Sequence, residues 1–301
     1  MVSTLIENNP YEAEFHMNDY ESKLKEIQAI LQSMEGNENN EETVKLLRLQ
    51  QYYTSTLQFA SLITSSVTLI AQLLASKSEG DLLSCLQFFP IAVSSHVPGV
   101  ERGLRRMLFL VWGASPSVLK MLISSIKELY FCPPKESTFF PPNVIASNLI
   151  RLLQGATVAE TASFAELVPH LIGEGILTKR CVEGLWSYVI SEGVDPMNKG
   201  HALDLLSMIA ITAPKFVFVN NQRILDLSVY LQTTSFYHTK YVMSLWKALP
   251  TDLSEPQREL KRRIIGLILT FLVDTTVHPK RENAKDWFGT ANEAVNALMV
   301  L

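Results

Sequence analysis

The sequence predicts an all-α protein, an α-solenoid made by stacking helix pairs. Three observations carry that expectation. Apolar residues recur at i, i+3, i+4, i+7 in one segment after another. No segment alternates apolar and polar residues as a half-buried strand does, and no Asn-Gly or Asp-Gly turn joins two such segments. The helical segments start at a nearly regular interval along the chain.

Taken in order, residues 11–33 read as one helix, and "MEGNENNEE" (34–42) reads as a polar, acidic, mobile linker. A long helix follows from about 43 to 76. Residues 49–76 carry no charge, so a membrane span has to be weighed. Within 57–75, however, Gln58, Ser61, Thr64, Ser65, Ser66, Thr68 and Gln72 are polar, and a span needs about 20 predominantly apolar residues. A long buried helix is the expectation. "IIGLILTFLV" (264–273) is too short to span and is flanked by charges. Leu104, Met107, Leu108 and Val111 form one helical stripe. Val182, Leu185, Trp186 and Val189 form another, as do Ala202, Leu205, Leu206 and Ile209, and Val242, Leu245, Trp246 and Leu249. Ser115-Pro116 reads as an N-cap with proline in the first turn. "TVAE" (157–160), "SFAE" (163–166) and "SEPQ" (254–257) fit capping boxes. "HVPGV" (96–100), "CPPKESTFFPP" (132–142), "GVDP" (193–196) and "HPKRE" (278–282) interrupt the helices.

Helix pairs begin near residues 78, 115, 157, 198 and 236, at intervals of 37, 42, 41 and 38, and a last unit begins near 284. Two-helix units of about 40 residues are the signature of HEAT or armadillo repeats. One pair cannot cover its own apolar face, and stacked neighbours do so. The expected organisation is an N-terminal helix and acidic linker over 1–42, then a HEAT-repeat solenoid over 43–301 with five to six helix pairs. The sequence ends in the apolar "VNALMVL", without the polar outer face a solenoid end needs. That is the expectation for an internal fragment, or for an end covered by a partner.

Composition narrows the class of function. The 301 residues are 47% hydrophobic, ample for a large core or a row of small ones. The net charge of −4 is uneven: residues 1–50 hold ten acidic and four basic side chains, a net −6, and the remainder holds 20 acidic and 22 basic, a net +2. The balance argues against a dedicated nucleic-acid binder but leaves room for local basic patches. Cys85, Cys132 and Cys181 are sparse and far apart, as reduced thiols of the cytosol or nucleus are. The opening "MVSTLIENNPYEAEF" lacks the basic end and apolar block of a signal peptide.

Chemistry-bearing motifs are missing from the sequence. There is no phosphate-binding GxxxxGK[ST] and no GxSxG, and "GEG" (173–175) lacks a third glycine and a preceding strand. The six histidines, at 16, 96, 170, 201, 238 and 278, have no Cys or second His at zinc-ligand spacing. No enzyme, metal or cofactor is expected. His170 and His201 read as structural residues, Cys85 and Cys181 as small core residues, and the four tryptophans as core or inter-repeat packing. What remains is basic. Arg102, Arg105 and Arg106 share a face opposite Leu104, Met107 and Leu108. Arg258, Lys261, Arg262 and Arg263 open a helix, and Lys280, Arg281 and Lys285 follow. Residues 258–285 hold seven basic and three acidic side chains, a net +4. These ten residues are the candidate contacts to DNA or a partner. The competing readings are a solvated face, or arginines paired with acids of a neighbouring repeat.

Three stretches carry a resemblance. "ERGLRRMLFLVW" places Glu101, Gly103, Arg105, Arg106, Met107, Leu108, Leu110, Val111 and Trp112 in a frame with Arg102 inserted. "ASNLIRLLQGATVAETASFAEL" (146–167) and "LQQYYTSTLQFASLI" (49–63) complete the set. In order and spacing they resemble the condensin complex subunit 1 family, the HEAT-repeat subunit of the D2 type. The likeness covers about 43–215; beyond it, "SFYHTKYVMSLWKAL" (235–249) fits the position of a later repeat. Family members are several-fold longer. The resemblance implies a non-catalytic scaffold that binds the kleisin subunit and the SMC ATPase heads in mitotic chromosome condensation, with double-stranded DNA as a candidate further partner. It implies the nucleus and chromosomes, with the cytoplasm besides, and neither a membrane nor a small-molecule substrate. A HEAT or armadillo adaptor or transport receptor remains the alternative reading.

Overall fold

The computed structural model describes residues 17–33, 41–95, 97–133, 138–231, 236–249, 255–277 and 284–301. Among them every regular element is helical, and no strand occurs. Helix pairs start at Glu79, Pro116, Val158, Pro196 and Phe236, and a further helix at Ala284, close to the spacing read from the sequence. The class is an all-α, HEAT-like repeat chain. The chain forms two compact units, Met1–Leu129 and Tyr130–Leu301.

The first unit holds α1 (Met17–Ser33), α2 (Glu41–Leu73), α3 (Glu79–Ser94), α4 (Glu101–Leu108) with a 3₁₀ turn (Phe109–Trp112), and most of α5 (Pro116–Tyr130). Helix α1 packs along α2, with Tyr20 edge-on to Tyr53 at 5.6 Å between ring centroids. The boundary expected at residue 42 therefore falls inside this unit, while the linker itself (34–40) lies outside the described residues. The core gathers Val67, Ala71, Leu86, Phe89, Leu104, Met107, Leu108, Leu122 and Ile126. Gly103 is tight against it, because a Cβ there would overlap the Phe89 ring. Pro90 sits inside α3 and cannot donate to the Leu86 carbonyl. The Ser125 hydroxyl of α5 shares its proton between that carbonyl, at 2.9 Å, and Met121 O.

Two expectations fail here. Helix α2 is not a buried helix: Tyr52, Phe59, Leu62 and Leu69 are 60%, 66%, 66% and 62% exposed. Neighbours α1, α3 and α4 cover one side of it, and the sequence is apolar on both sides. Trp112 is 61% exposed rather than packed between repeats. The reason is local. After Leu108 the helix tightens to 3₁₀ geometry, which turns about 120° per residue instead of 100°. Val111, three residues after Leu108, therefore stays over it and is half-buried, while Trp112, one residue further, rotates off the Leu104/Met107/Leu108 stripe.

The second unit holds α6 (Pro142–Leu153), α7 (Val158–Gly173), α8 (Lys179–Ile190), α9 (Pro196–Thr212), the short α10 (Pro214–Val217) and α11 (Asn221–Asp226), a 3₁₀ turn (Leu227–Leu231), α12 (Phe236–Lys247), α13 (Glu255–Val277) and α14 (Ala284–Val300). Helix α6 packs on α8, α9 on α12, and α12 on α14, so corresponding helices of successive pairs meet, as stacked repeats require. The predicted stripes Val182/Leu185/Trp186/Val189, Ala202/Leu205/Leu206/Ile209 and Val242/Leu245/Trp246/Leu249 are all buried. Gly184 is forced by contact, since a Cβ there would overlap the Pro142 carbonyl. Gly155, between α6 and α7, has φ +67, which a residue with a Cβ adopts only with strain.

The caps explain where the helices begin. Thr157 accepts from Glu160 N–H while the Glu160 carboxylate accepts from Thr157 N–H at 2.7 Å, a complete capping box. "SFAE" does not start a helix. Ser163 lies inside α7 and donates to Ala159 O at 2.8 Å, because the box six residues earlier has already opened that helix. The Asp195 carboxylate accepts from Met197 and Asn198 N–H, with Pro196 in the first turn. Ser254 of the "SEPQ" box lies outside the described residues.

Candidate functional site

The two basic groups lie in different units, so each is described alone. On α4, Gly103, Leu104, Met107 and Leu108 are buried and Glu101, Arg102 and Arg106 are exposed; Arg105 is half-buried. Arg106 reaches the end of α2, where its Nη1 donates to Ala71 O at 3.4 Å. The last four carbonyls of a helix have no partner within it. Here Ile70 O accepts from the Cys85 thiol, Ala71 O from Arg106, Gln72 O from Ala75 N–H and Leu73 O from Ser76 N–H. A cation at that end also opposes the negative pole of the helix dipole. The arginine motif therefore contains a helix-capping residue, a task that spacing alone could not separate from phosphate binding. Arg102 projects from the exposed side of the same helix.

On α13, Leu260, Ile264, Ile268 and Phe271 are buried and set the inner face. Arg258, Arg262 and Arg263 are exposed and Lys261 is half-exposed. Arg262 lies 3.7 Å from Glu259, one turn earlier, with both side chains well exposed. Such a pair contributes little and does not compete strongly with another anion. Lys280 and Arg281 lie outside the described residues, and Lys285 belongs to α14 with a side chain outside them.

Sequence reasoning missed a polar group on the second unit. Burial pushes the Asp204 carboxyl on α9 up to about 6, and Lys240 on α12 pulls it back. Burial lowers the pKa of His201, one turn before it, and Asp195 opposes that; His201 Nε2 is buried without a hydrogen bond. His238 Nε2 is 2.7 Å from Pro196 O, and the Tyr230 hydroxyl donates to Val189 O at 3.2 Å. Arg223 pairs with Glu183 at 3.0 Å and stacks on Trp186 with 5.6 Å to the ring centroid. The available signal was an acid inside the apolar run "HALDLLSMIA". Its partners come from a helix about 40 residues on, so local pattern could not find them. Among the described residues no group of three or more His, Cys, Asp or Glu is placed to hold a metal.

These features define a helical-repeat protein with basic helix faces. Over 223 residues it is 23% identical to condensin complex subunit 1 of Mus musculus, covering 74% of this chain and 16% of the mouse protein. The protein of the same name in Saccharomyces cerevisiae is 30% identical over 169 residues, 54% of this chain and 14% of the yeast protein. The Homo sapiens protein is 24% identical over 196 residues, 65% and 14%. The chain thus spans about a sixth of the length of the curated relatives it matches. No family model matches it. Among solved structures it is similar to a designed armadillo repeat protein in complex with the peptide (KR)4, with TM-score 0.32, 16% identity, 76% of this chain and 98% of that one.

Proposed function

We propose that this chain acts as a non-catalytic repeat scaffold of condensin. It joins the other subunits of that complex, holding the kleisin and the SMC ATPase heads, and it serves mitotic chromosome condensation in the nucleus and on chromosomes, with a cytoplasmic pool. The observation that carries the reading is the similarity itself. Proteins called condensin complex subunit 1 from mammals, a frog and two yeasts match 48–74% of the chain. The arginine and "GATVAE" stretches lie within the segment read as condensin-like. In this reading Arg258, Lys261, Arg262 and Arg263 contact DNA phosphates, Lys280, Arg281 and Lys285 extend the patch, and Arg102 and Arg105 add a second one beside the capping Arg106.

The test is a pull-down of the full chain against kleisin segments and isolated SMC heads at low and high salt, with a duplex-DNA shift assay in parallel. Salt-resistant capture of a kleisin or SMC piece is expected. Failure to capture either one at both salts would sink the reading.

A further inference from the structure

We propose that the outward face of α2 is a docking seam for a helix of another polypeptide, apolar along its contact stripe, uncharged beside it, and packed lengthwise in heptad register. This seam does not depend on the condensin reading.

Helix α2 carries two stripes. Tyr53, Leu57, Ala60, Thr64, Val67 and Ala71 face its own unit and are buried or half-buried. On the other side run Tyr52, Ser55, Phe59, Leu62, Ser66, Leu69 and Leu73, at alternating steps of three and four. An alternating three-four step averages 3.5 residues, the repeat that keeps a seam facing one neighbouring helix. All five large residues of this stripe are exposed, Leu73 at 47% and the others at 60% or more. Of the described elements α1 comes beside the stripe, its Glu21 lining a groove together with Leu62.

The polar atoms on this side ask for little water. Thr56 donates to Tyr52 O, and Ser65 and Ser66 to Leu62 O, all at 2.7–2.9 Å, so these hydroxyls are satisfied within the helix. Ser55 and Ser66 leave small positions between large ones, the holes that a partner's side chains fill. The residues beside the stripe, Gln51, Gln58, Ser65 and Gln72 on one edge and Thr56, Ile63 and Ile70 on the other, are uncharged. A charged side chain packed on the stripe would lose hydration there, and the α2 residues that flank it hold no counter-charge. An uncharged helix loses nothing. A groove of about 530 Å³ lined by Glu21, Leu57, Gln58, Ser61 and Leu62 runs beside the middle of the stripe.

Size agrees. From Tyr52 to Leu73 the stripe is about 31 Å long. An aromatic side chain buries about 150–250 Å² in full; Tyr52 and Phe59 keep 60% and 66% of theirs open, and with the three leucines they supply part of the ~800 Å² per partner of a specific interface. Thr43–Leu73 is also long and apolar enough, by length and composition, to cross a membrane. Against lipid, the exposed Glu21, Lys23, Lys25 and Glu26 of α1 would be drawn to the bilayer with α2. The glutamines at the stripe's edge would be desolvated too. A protein helix is favoured because it covers the stripe and leaves those groups wet.

The probe is a labelled synthetic peptide of about three heptads, with leucine at the seam positions and alanine, glutamine and serine elsewhere. A control peptide of the same composition has its leucines moved off the three-four spacing. Both are titrated into the full chain, by fluorescence anisotropy, at about 0.1 M and 1 M salt. The heptad peptide should bind about tenfold tighter than the control or better, equally at both salts. Phe59→Gln with Leu62→Gln should abolish that preference and leave the thermal melt unchanged, since both side chains face water. Equal binding of the two peptides, or binding that survives the double variant, overturns the proposal. So does capture on neutral phosphatidylcholine vesicles without peptide preference, which assigns the face to a membrane. Self-association in sedimentation that disappears in the double variant assigns it to a second copy and equally overturns it.

Discussion

Gly103 and Gly184 are where single atoms decide packing. A methyl group at position 103 meets the ring of Phe89, which is wholly buried and has little space to yield. Gly103→Ala should cost about 1–3 kcal/mol by denaturant titration, the usual range for overpacking. Gly184→Ala should cost at least as much, because the obstacle is the Pro142 backbone carbonyl, which no rotamer change can move. An unchanged midpoint for either would mean that the helices slide apart freely. Asp204 makes a pH-dependent case. Its folded pKa of about 6 lies above its ordinary value of 3.8, so the folded state binds the proton more tightly. Stability from this group is therefore full below about pH 4 and is lost as pH rises toward 6. Asp204→Asn removes that decline. It should stabilise the chain by about 2–3 kcal/mol at pH 7, and by nothing at pH 3.5. His201 has its pKa lowered and acts with the opposite sign, so the effect is taken as mutant minus parent at each pH. A gain that persists at pH 3.5 would show that the charge of Asp204 is not its source.

At the scale of elements, helix ends were legible where both halves of a cap lie in one short stretch. Thr157 and Glu160 are such a case, and Thr157→Ala should lower stability by about 1 kcal/mol, read from the thermal midpoint; no change would mean the α7 start is set by packing alone. Ser163 shows the limit of the pattern, since the same letters inside a helix donate backward to a carbonyl instead. The end of α2 was not legible, because its four carbonyls are met by Cys85, Arg106 and the following turn, up to 35 residues away. Arg106→Ala should lower the thermal midpoint measurably, and Arg102→Ala should not. Equal effects would remove the capping role. Trp112 was misplaced for a related reason. A periodic stripe assumes a constant turn per residue, and the 3₁₀ segment breaks that assumption.

At the scale of the whole chain, the repeat spacing was readable where, as in the second unit, a pair buries its stripe on the corresponding helix of the next pair, so that pattern and packing coincide. Burial of α2 was not readable, because an apolar residue shows only that a neighbour would be favourable and not that one is present. The candidate site divides in the same way: composition located the basic clusters, and only geometry separated a capping arginine from outward-facing ones. DNA binding should divide along the same line. With a net charge of −4, the chain has no general attraction for DNA, so any binding must come from local patches. Replacing Lys261, Arg262 and Arg263 with glutamine should weaken duplex binding by the full chain. It should also flatten the plot of log affinity against log salt by about 0.9 for each phosphate no longer neutralised. Arg106→Ala should leave that slope alone, because its guanidinium is turned to the end of α2. If the triple variant lowers affinity while keeping the slope, those three side chains do not meet phosphates, and α13 is a protein-binding face. If neither affinity nor slope changes, the positive charge of α13 serves solvation only, and DNA binding by this chain must be sought at Arg102 and Arg105.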